Sequence, residues 1–161
     1  MTTSPEALYM SLELGNKKWD LGFSRGGRVR KRTVKAGDRA GVLGEVARAK
    51  ERLGLPADAP VKSCYEAGRD GFWIHRFLVG EGIENLVVDP ASIEVTRRKR
   101  QRKTDRLDAE KLVRQLIRHW RDEEKVWGVV RVPSEAEEDA RRLHREMERL
   151  KKERTSHKNR V

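Results

Sequence analysis

Asp105 and Asp108 stand three residues apart in a stretch with helical periodicity, which puts both carboxylates on one face. Glu66 sits at the carboxyl end of Val61–Tyr65 (VKSCY), which reads as a short strand, and Glu13 lies inside an earlier alternating run, Leu8–Leu14. In an open α/β sheet, groups at strand ends and on a flanking helix can converge. Four convergent carboxylates repel one another, and a hard divalent cation, Mg²⁺ or Mn²⁺, relieves that repulsion. Two such ions about 3.5–4 Å apart can stabilise the attacking and leaving oxygens of a phosphodiester displacement. The chemistry open to Glu13, Glu66, Asp105 and Asp108 is therefore metal-assisted phosphoryl transfer. The plain alternative is a solvated acidic surface, with Asp105 paired to Arg102 or Arg106 for under about 1 kcal/mol.

The elements that must position these groups follow from hydrophobic period. Leu8–Leu14 alternates apolar and polar residues, Gly15-Asn16 supplies a turn, and Trp19, Leu21 and Phe23 continue as a second strand. Gly26-Gly27 signals a hairpin, and Arg28–Lys35 fits a third strand anchored by Val29 and Val34. The period then changes. Asp38 is an expected N-cap for a helix carrying Val42, Leu43, Val46, Ala49 and Leu53, which Gly54 and Pro56 end. After the strand Val61–Tyr65, Arg69–Val79 reads as a helix with Phe72, Ile74, Phe77 and Leu78 inward, stopped by Gly80 and Gly82. Leu86–Val88 is a buried strand closed by Asp89-Pro90. Thr104 is the expected cap of a helix carrying Leu107, Leu112, Val113, Leu116 and Ile117. A meander followed by αβ crossovers implies a mixed sheet with helices packed on it, and among small α/β folds this order is the ribonuclease H-like one.

Val126–Val132 reads as one more short strand or an extended connector. Ser134 then caps a last helix whose first turn holds Glu135, Glu137 and Glu138, where the helix dipole favours anions. Ala136, Ala140, Leu143, Met147 and Leu150 recur by four and three residues, a heptad seam expected to mediate homo-oligomerisation. The alternative is a helix folded back on its own domain.

The 161 residues suffice for one domain and an appendage. Their 37 Lys and Arg against 26 Asp and Glu leave a formal charge of +11, which points to a polyanionic partner, nucleic acid first. One cysteine, Cys64, excludes an internal disulfide and a cysteine-based zinc site. No apolar run approaches the roughly 18 residues of a membrane span, and no signal peptide is visible, so a cytoplasmic location is expected.

Three stretches make the sequence recognisable. Cys64–Leu78 (CYEAGRDGFWIHRFL), Val87–Ile93 (VVDPASI) and Lys103–Leu112 (KTDRLDAEKL) resemble the DEDD transposases of the IS-one-ten type of insertion sequence, related to the Piv invertases. Tyr65-Glu66-Ala67 matches the family's Glu-Ala after the fourth strand. Lys103-Thr104-Asp105-Arg106-Leu107-Asp108-Ala109 matches its Lys-Thr-Asp-Arg-x-Asp-Ala block, which is long and specific. The resemblance runs from about Leu8 to the basic end of the chain. It implies a RuvC-like domain over 8–125, a connector over 126–133 and the start of a coiled-coil helix over 134–161. It also implies DNA cleavage and strand transfer by a metal-binding tetrad, which carries over as Glu13, Glu66, Asp105 and Asp108. The first position is usually Asp in the family, and Asp20 on the next strand is the nearest substitute for Glu13.

Family members continue into a domain that supplies a catalytic serine and are guided to DNA by a structured RNA. No serine here matches, since Ser134 and Ser156 fall at cap and tail positions, so the chain is expected to correspond to the N-terminal catalytic half. A non-catalytic nucleic-acid-binding module and a degenerate transposase remnant are the alternatives.

Arg97, Arg98, Lys99, Arg100, Arg102, Lys103 and Arg106 form a run that leads into Asp105 and is expected to clamp DNA phosphates. Arg25–Lys35 is either a second such surface or an edge strand protected by charge. Phe72, Trp73, Trp120 and Trp127 are expected to pack rather than to stack on bases, Cys64 to be a buried small hydrophobe, and the four histidines show no metal-ligand spacing.

Overall fold

The computed structural model describes residues 6–93, 108–123 and 125–160. The elements are β1 (Leu8–Leu14), β2 (Lys18–Ser24), β3 (Arg30–Lys35), α1 (Arg39–Arg52), β4 (Val61–Glu66), α2 (Trp73–Gly80), β5 (Glu84–Val88), a 3₁₀ turn (Pro90–Ser92), α3 (Ala109–Trp120) and α4 (Glu135–Lys158). The chain divides into two compact units, Met1–Val130 and Arg131–Val161.

In the first unit the strands form one mixed sheet in the order β3-β2-β1-β4-β5. β1 pairs antiparallel with β2, and β2 with β3, while β1–β4 and β4–β5 are parallel. Tight turns allow the antiparallel pairs, whereas the parallel ones need helical crossovers. This flanked mixed sheet is compatible with the ribonuclease H-like arrangement expected from the sequence.

Each strand offers alternate residues to opposite faces. One face presents Met10, Leu12, Trp19 and Leu21, all buried. There Trp19 meets Trp73 of α2 with ring centroids 5.8 Å apart, and Arg39 of α1 lies 5.0 Å from the Trp73 ring. The other face presents Ser11, Gly22 and Cys64, which the register lines up across β2, β1 and β4. All three are small, so α3 can lie close. Ser11 Oγ donates to the Ala109 carbonyl at 2.5 Å, and Cys64 Sγ to that of Leu112 at 3.9 Å. A Cβ on Gly22 would come within 2.7 Å of the Ala109 oxygen. Leu112, Val113, Leu116 and Ile117 of α3 are buried as their spacing predicts.

Several boundaries differ from expectation. β3 begins at Arg30 rather than Arg28, β4 runs through Glu66 rather than Tyr65, and β5 begins at Glu84 rather than Leu86. α2 begins at Trp73, not Arg69, because Gly71 takes φ +71, a left-handed conformation that a helix cannot include. The helix runs through Gly80, and Gly82 at φ +77 stands beyond its end. The cap of α3 is Asp108 rather than Thr104, with Asp108 Oδ1 accepting from Lys111 N at 2.9 Å. Asp38 caps α1 as expected, accepting from Gly41 N.

The segment after α3 is an extended connector. Val129 makes a single antiparallel bridge to Val88 on the outer edge of β5, and Val130 N donates to Val87 O at 2.8 Å. Val126 and Trp127 pack with Leu112, Leu116, Val88 and Cys64, and Trp120 leans on the same cluster, so both tryptophans pack as expected.

In the second unit, Ser134 and Glu137 form a reciprocal capping box at the start of α4. The Ser134 N–H and the Arg131 guanidinium beside Glu137 hold its carboxyl below the usual glutamate range. No residue of α4 is buried, and Leu143, Met147 and Leu150 are 65%, 51% and 53% exposed. The apolar residues of the expected seam thus lie exposed along one helix. Among the described residues no helix is long and apolar enough to cross a membrane.

Candidate active site at the strand ends

β1 and β4 lie side by side and parallel, so their carboxyl ends open on the same side of the sheet. Tyr9, Ser11 and Glu13 share one face of β1, and Lys62, Cys64 and Glu66 share the matching face of β4. The pairing Ser11↔Cys64 and Leu12↔Tyr65 brings Glu13 and Glu66 next to each other at those ends. Both are half-buried. They line one cleft of about 180 Å³, together with Arg69, Asp70, Pro90 and Leu112.

Asp20 faces Glu13 across the β1–β2 ladder. Its Oδ1 accepts the Thr33 hydroxyl at 2.6 Å, and the described walls of the cleft include Glu13 but not Asp20. Asp108 is half-buried at the head of α3, next to the Ala109 carbonyl that sits on Ser11 and Gly22. It thus starts a helix lying on the same sheet face as Glu13 and Glu66. Asp105 lies outside the described residues, as do Arg97, Arg98, Lys99, Arg100, Arg102, Lys103 and Arg106. Of the four expected ligands, the structure brings Glu13 and Glu66 together and puts Asp108 on their face. Among the described residues no group of three or more His, Cys, Asp or Glu could hold a metal ion.

The donor chemistry still fits a hard cation. Glu13, Glu66 and Asp108 offer only carboxylate oxygens, the ligands Mg²⁺ and Mn²⁺ prefer. The one soft atom beside them is inert: burial, then the Glu66 charge, pushes the Cys64 thiol well up, so it stays protonated.

Arg69 and Asp70 are cleft residues that sequence reasoning missed, because it placed both inside a helix. The signal was Gly68 and Gly71 on either side of them, a spacing that favours a loop.

His75 is placed on the face of the sheet opposite α3. His75 Nδ1 is 2.9 Å from Asn85 Nδ2, and Ser63 Oγ donates to Asn85 Oδ1 at 2.7 Å, a network on the α2 side of the sheet. Burial, then Arg76, keeps the His75 pKa below its ordinary value. On the edge strand β3, Lys31 and Arg32 each lie 3.9 Å from a glutamate, Glu110 and Glu45. Part of that basic surface is therefore neutralised locally.

Comparison with known proteins adds two findings. The model of a protein family described as "Transposase" matches residues 24–161. A protein of Sinorhizobium fredii (strain NBRC 101917 / NGR234), named "Putative transposase y4rJ", is 44% identical over 160 residues, covering 96% of this chain and 40% of its own length. The chain spans about two fifths of that relative.

Proposed function

The chain belongs to the IS-one-ten family of transposases, and from that premise we propose that it is the metal-dependent DEDD catalytic domain of a DNA-cutting and DNA-joining enzyme. One observation supports this above the others: Glu13 and Glu66, on adjacent parallel strands, line a single cleft at the strand ends. Glu66, Asp105 and Asp108 would hold Mg²⁺ or Mn²⁺, with Glu13 as the fourth ligand. Bound there, the ion would supply Lewis-acid stabilisation of charge on a phosphodiester. The chain's own part is to hold the carboxylates in place. α3 does so for Asp108 through its seat on Ser11 and Gly22, and the β1–β4 ladder does so for the two glutamates. The run from Arg97 to Arg106 would deliver the DNA backbone, and a structured guide RNA is the second polyanion suited to the +11 charge. The distant serine of the full-length protein would make the covalent DNA link.

The competing reading is a binding module that catalyses nothing and holds nucleic acid through the run from Arg97 to Arg106. Removal of divalent ions separates the two. A version of the protein spanning its relatives' length should lose strand cleavage with a chelator and regain it with Mg²⁺ or Mn²⁺, while the domain stays folded by circular dichroism. Ion-independent cleavage would count against the metal tetrad, and no cleavage with any ion would favour the binding module.

We also propose that α4 pairs with a second copy of itself in parallel. With Ala140 and Met147 as a positions and Leu143 and Leu150 as d positions, every g position from Asp139 to Glu153 is acidic: Asp139, Glu146 and Glu153. The e positions five residues on are His144, Lys151 and Lys158. A parallel dimer faces each acid with a base, whereas an antiparallel one sets acid against acid. Within the helix, Arg149 already meets Glu146 at 2.6 Å, so these acids are shared. Glu146→Lys with Glu153→Lys should weaken self-association about tenfold, four exposed pairs at roughly 0.2–1 kcal/mol each being turned repulsive. Adding Lys151→Glu and Lys158→Glu should restore it, as read by sedimentation equilibrium. A wild-type chain that stays monomeric would contradict the pairing.

A further inference from the structure

The cleft that Glu13 and Glu66 line must admit a phosphodiester if the reading above is right. Two carboxylates repel that anion, and a fixed cation beside them would help seat it, alongside any metal. Arg69 stands there. It is exposed at the tip of the loop between β4 and α2, and it is part of the cleft wall with both glutamates.

The loop is braced. Ala67 N donates to Val88 O at 2.8 Å, the Tyr65 hydroxyl donates to the Gly71 carbonyl at 3.0 Å, and Gly71 N donates to Gly68 O at 3.3 Å. The side chain is held as well. Arg69 Nη2 donates to Asn16 Oδ1 in the β1–β2 turn, so the guanidinium ties two loops together beside the cleft. Asn16 is neutral, and among the described residues no ion pair includes Arg69. A guanidinium carries five N–H donors in a planar fork that matches two oxygens of one phosphate, and a single amide leaves most of them for a ligand.

We propose that Arg69, positioned by Asn16, grips a backbone phosphate of the nucleic acid and seats the strand against Glu13 and Glu66. The proposal rests on the cleft being a nucleic-acid site. Arg69 acts as a positioning residue, separate from the basic run that ends at Arg106.

The test is DNA binding by the chain itself, followed by fluorescence anisotropy with a labelled duplex and a labelled single strand over a series of salt concentrations. Arg69→Gln should weaken binding about tenfold and flatten the plot of log affinity against log salt by about one phosphate contact. Arg69→Lys should restore the slope and only part of the affinity, since a point charge replaces a fork. Asn16→Ala should keep the slope and lose affinity, because the charge remains but its placement does not. Arg48→Gln is the control, an exposed arginine of α1 paired with Glu45 at 2.6 Å, and should change neither quantity appreciably. Wild-type binding with Arg69→Gln unchanged in affinity and slope overturns this proposal alone. A wild-type chain that holds no DNA overturns the nucleic-acid reading and the proposal together.

Discussion

Strand cleavage by a version of the protein as long as its relatives is expected to vanish when Asp105 and Asp108 are both replaced by Asn, while the domain stays folded. The chemical reason is loss of ligand charge: an amide oxygen binds a hard cation far more weakly than a carboxylate does. Positional error of about 1 Å near reacting groups already costs about 10²-fold, and removing two ligands should cost at least that. The structural reason for choosing Asn lies at α3. Asp108 caps that helix through its Oδ1 and the Lys111 N–H. Asn caps a helix about as well as Asp, whereas Ala would cost about 1 kcal/mol. The double Asn variant therefore removes charge and spares the cap. Circular dichroism and thermal unfolding should match the wild type, and single-turnover cleavage should fall to background. Cleavage that persists in a folded double variant would remove both aspartates from the site.

The second large effect is expected at Gly22, which carries no chemistry. A methyl group there would meet the Ala109 carbonyl oxygen at 2.7 Å and Ser11 Oγ at 2.7 Å, both closer than van der Waals contact. Neither can give way cheaply. The carbonyl belongs to the first residue of α3, and the hydroxyl already donates to it. Gly22→Ala should therefore lift the head of α3 and destabilise the first unit by about 1–3 kcal/mol, as overpacking of a core does. Urea unfolding followed by tryptophan fluorescence measures this, because Trp120 and Trp127 report on the cluster that α3 shares with the connector. Because Asp108 directly precedes Ala109, the same change should impair cleavage beyond its effect on stability. Gly27→Ala is the comparison: nothing lies within 4 Å of the added carbon, so its effect should be small. An unaltered Gly22→Ala protein would mean that α3 is not seated as described.

Much of the first unit was legible beforehand, for reasons that can be traced to residues. The alternation of Leu8, Met10 and Leu12 against Tyr9, Ser11 and Glu13 marks a strand with two working faces, and β1 is buried on the first and partly covered on the second. Asp38 and Ser134 announce helix starts because a short oxygen-bearing side chain can satisfy an exposed N–H. Arg69–Phe72 misled because its residue types suit a helix, and only the left-handed turn at Gly71, fixed by Tyr65 from the preceding strand, excludes it. The start of α3 misled in a related way. Thr104 and Asp108 are both good caps, and local propensity does not choose between them.

The sequence by itself determined which residues could do the work. It set the strand and helix periods, the strongly cationic balance, the acids Glu13, Glu66, Asp105 and Asp108, and the Lys103–Ala109 block that marks the family. The tertiary structure alone decided which of these meet. A strand's side chains alternate with period two, so one residue of slip between β1 and β4 would have sent Glu13 and Glu66 to opposite faces. That register depends on packing against α3 and on pairing between segments some fifty residues apart in the chain, which no local pattern encodes. The same non-local packing turned Arg69 from a helical residue into a wall of the cleft.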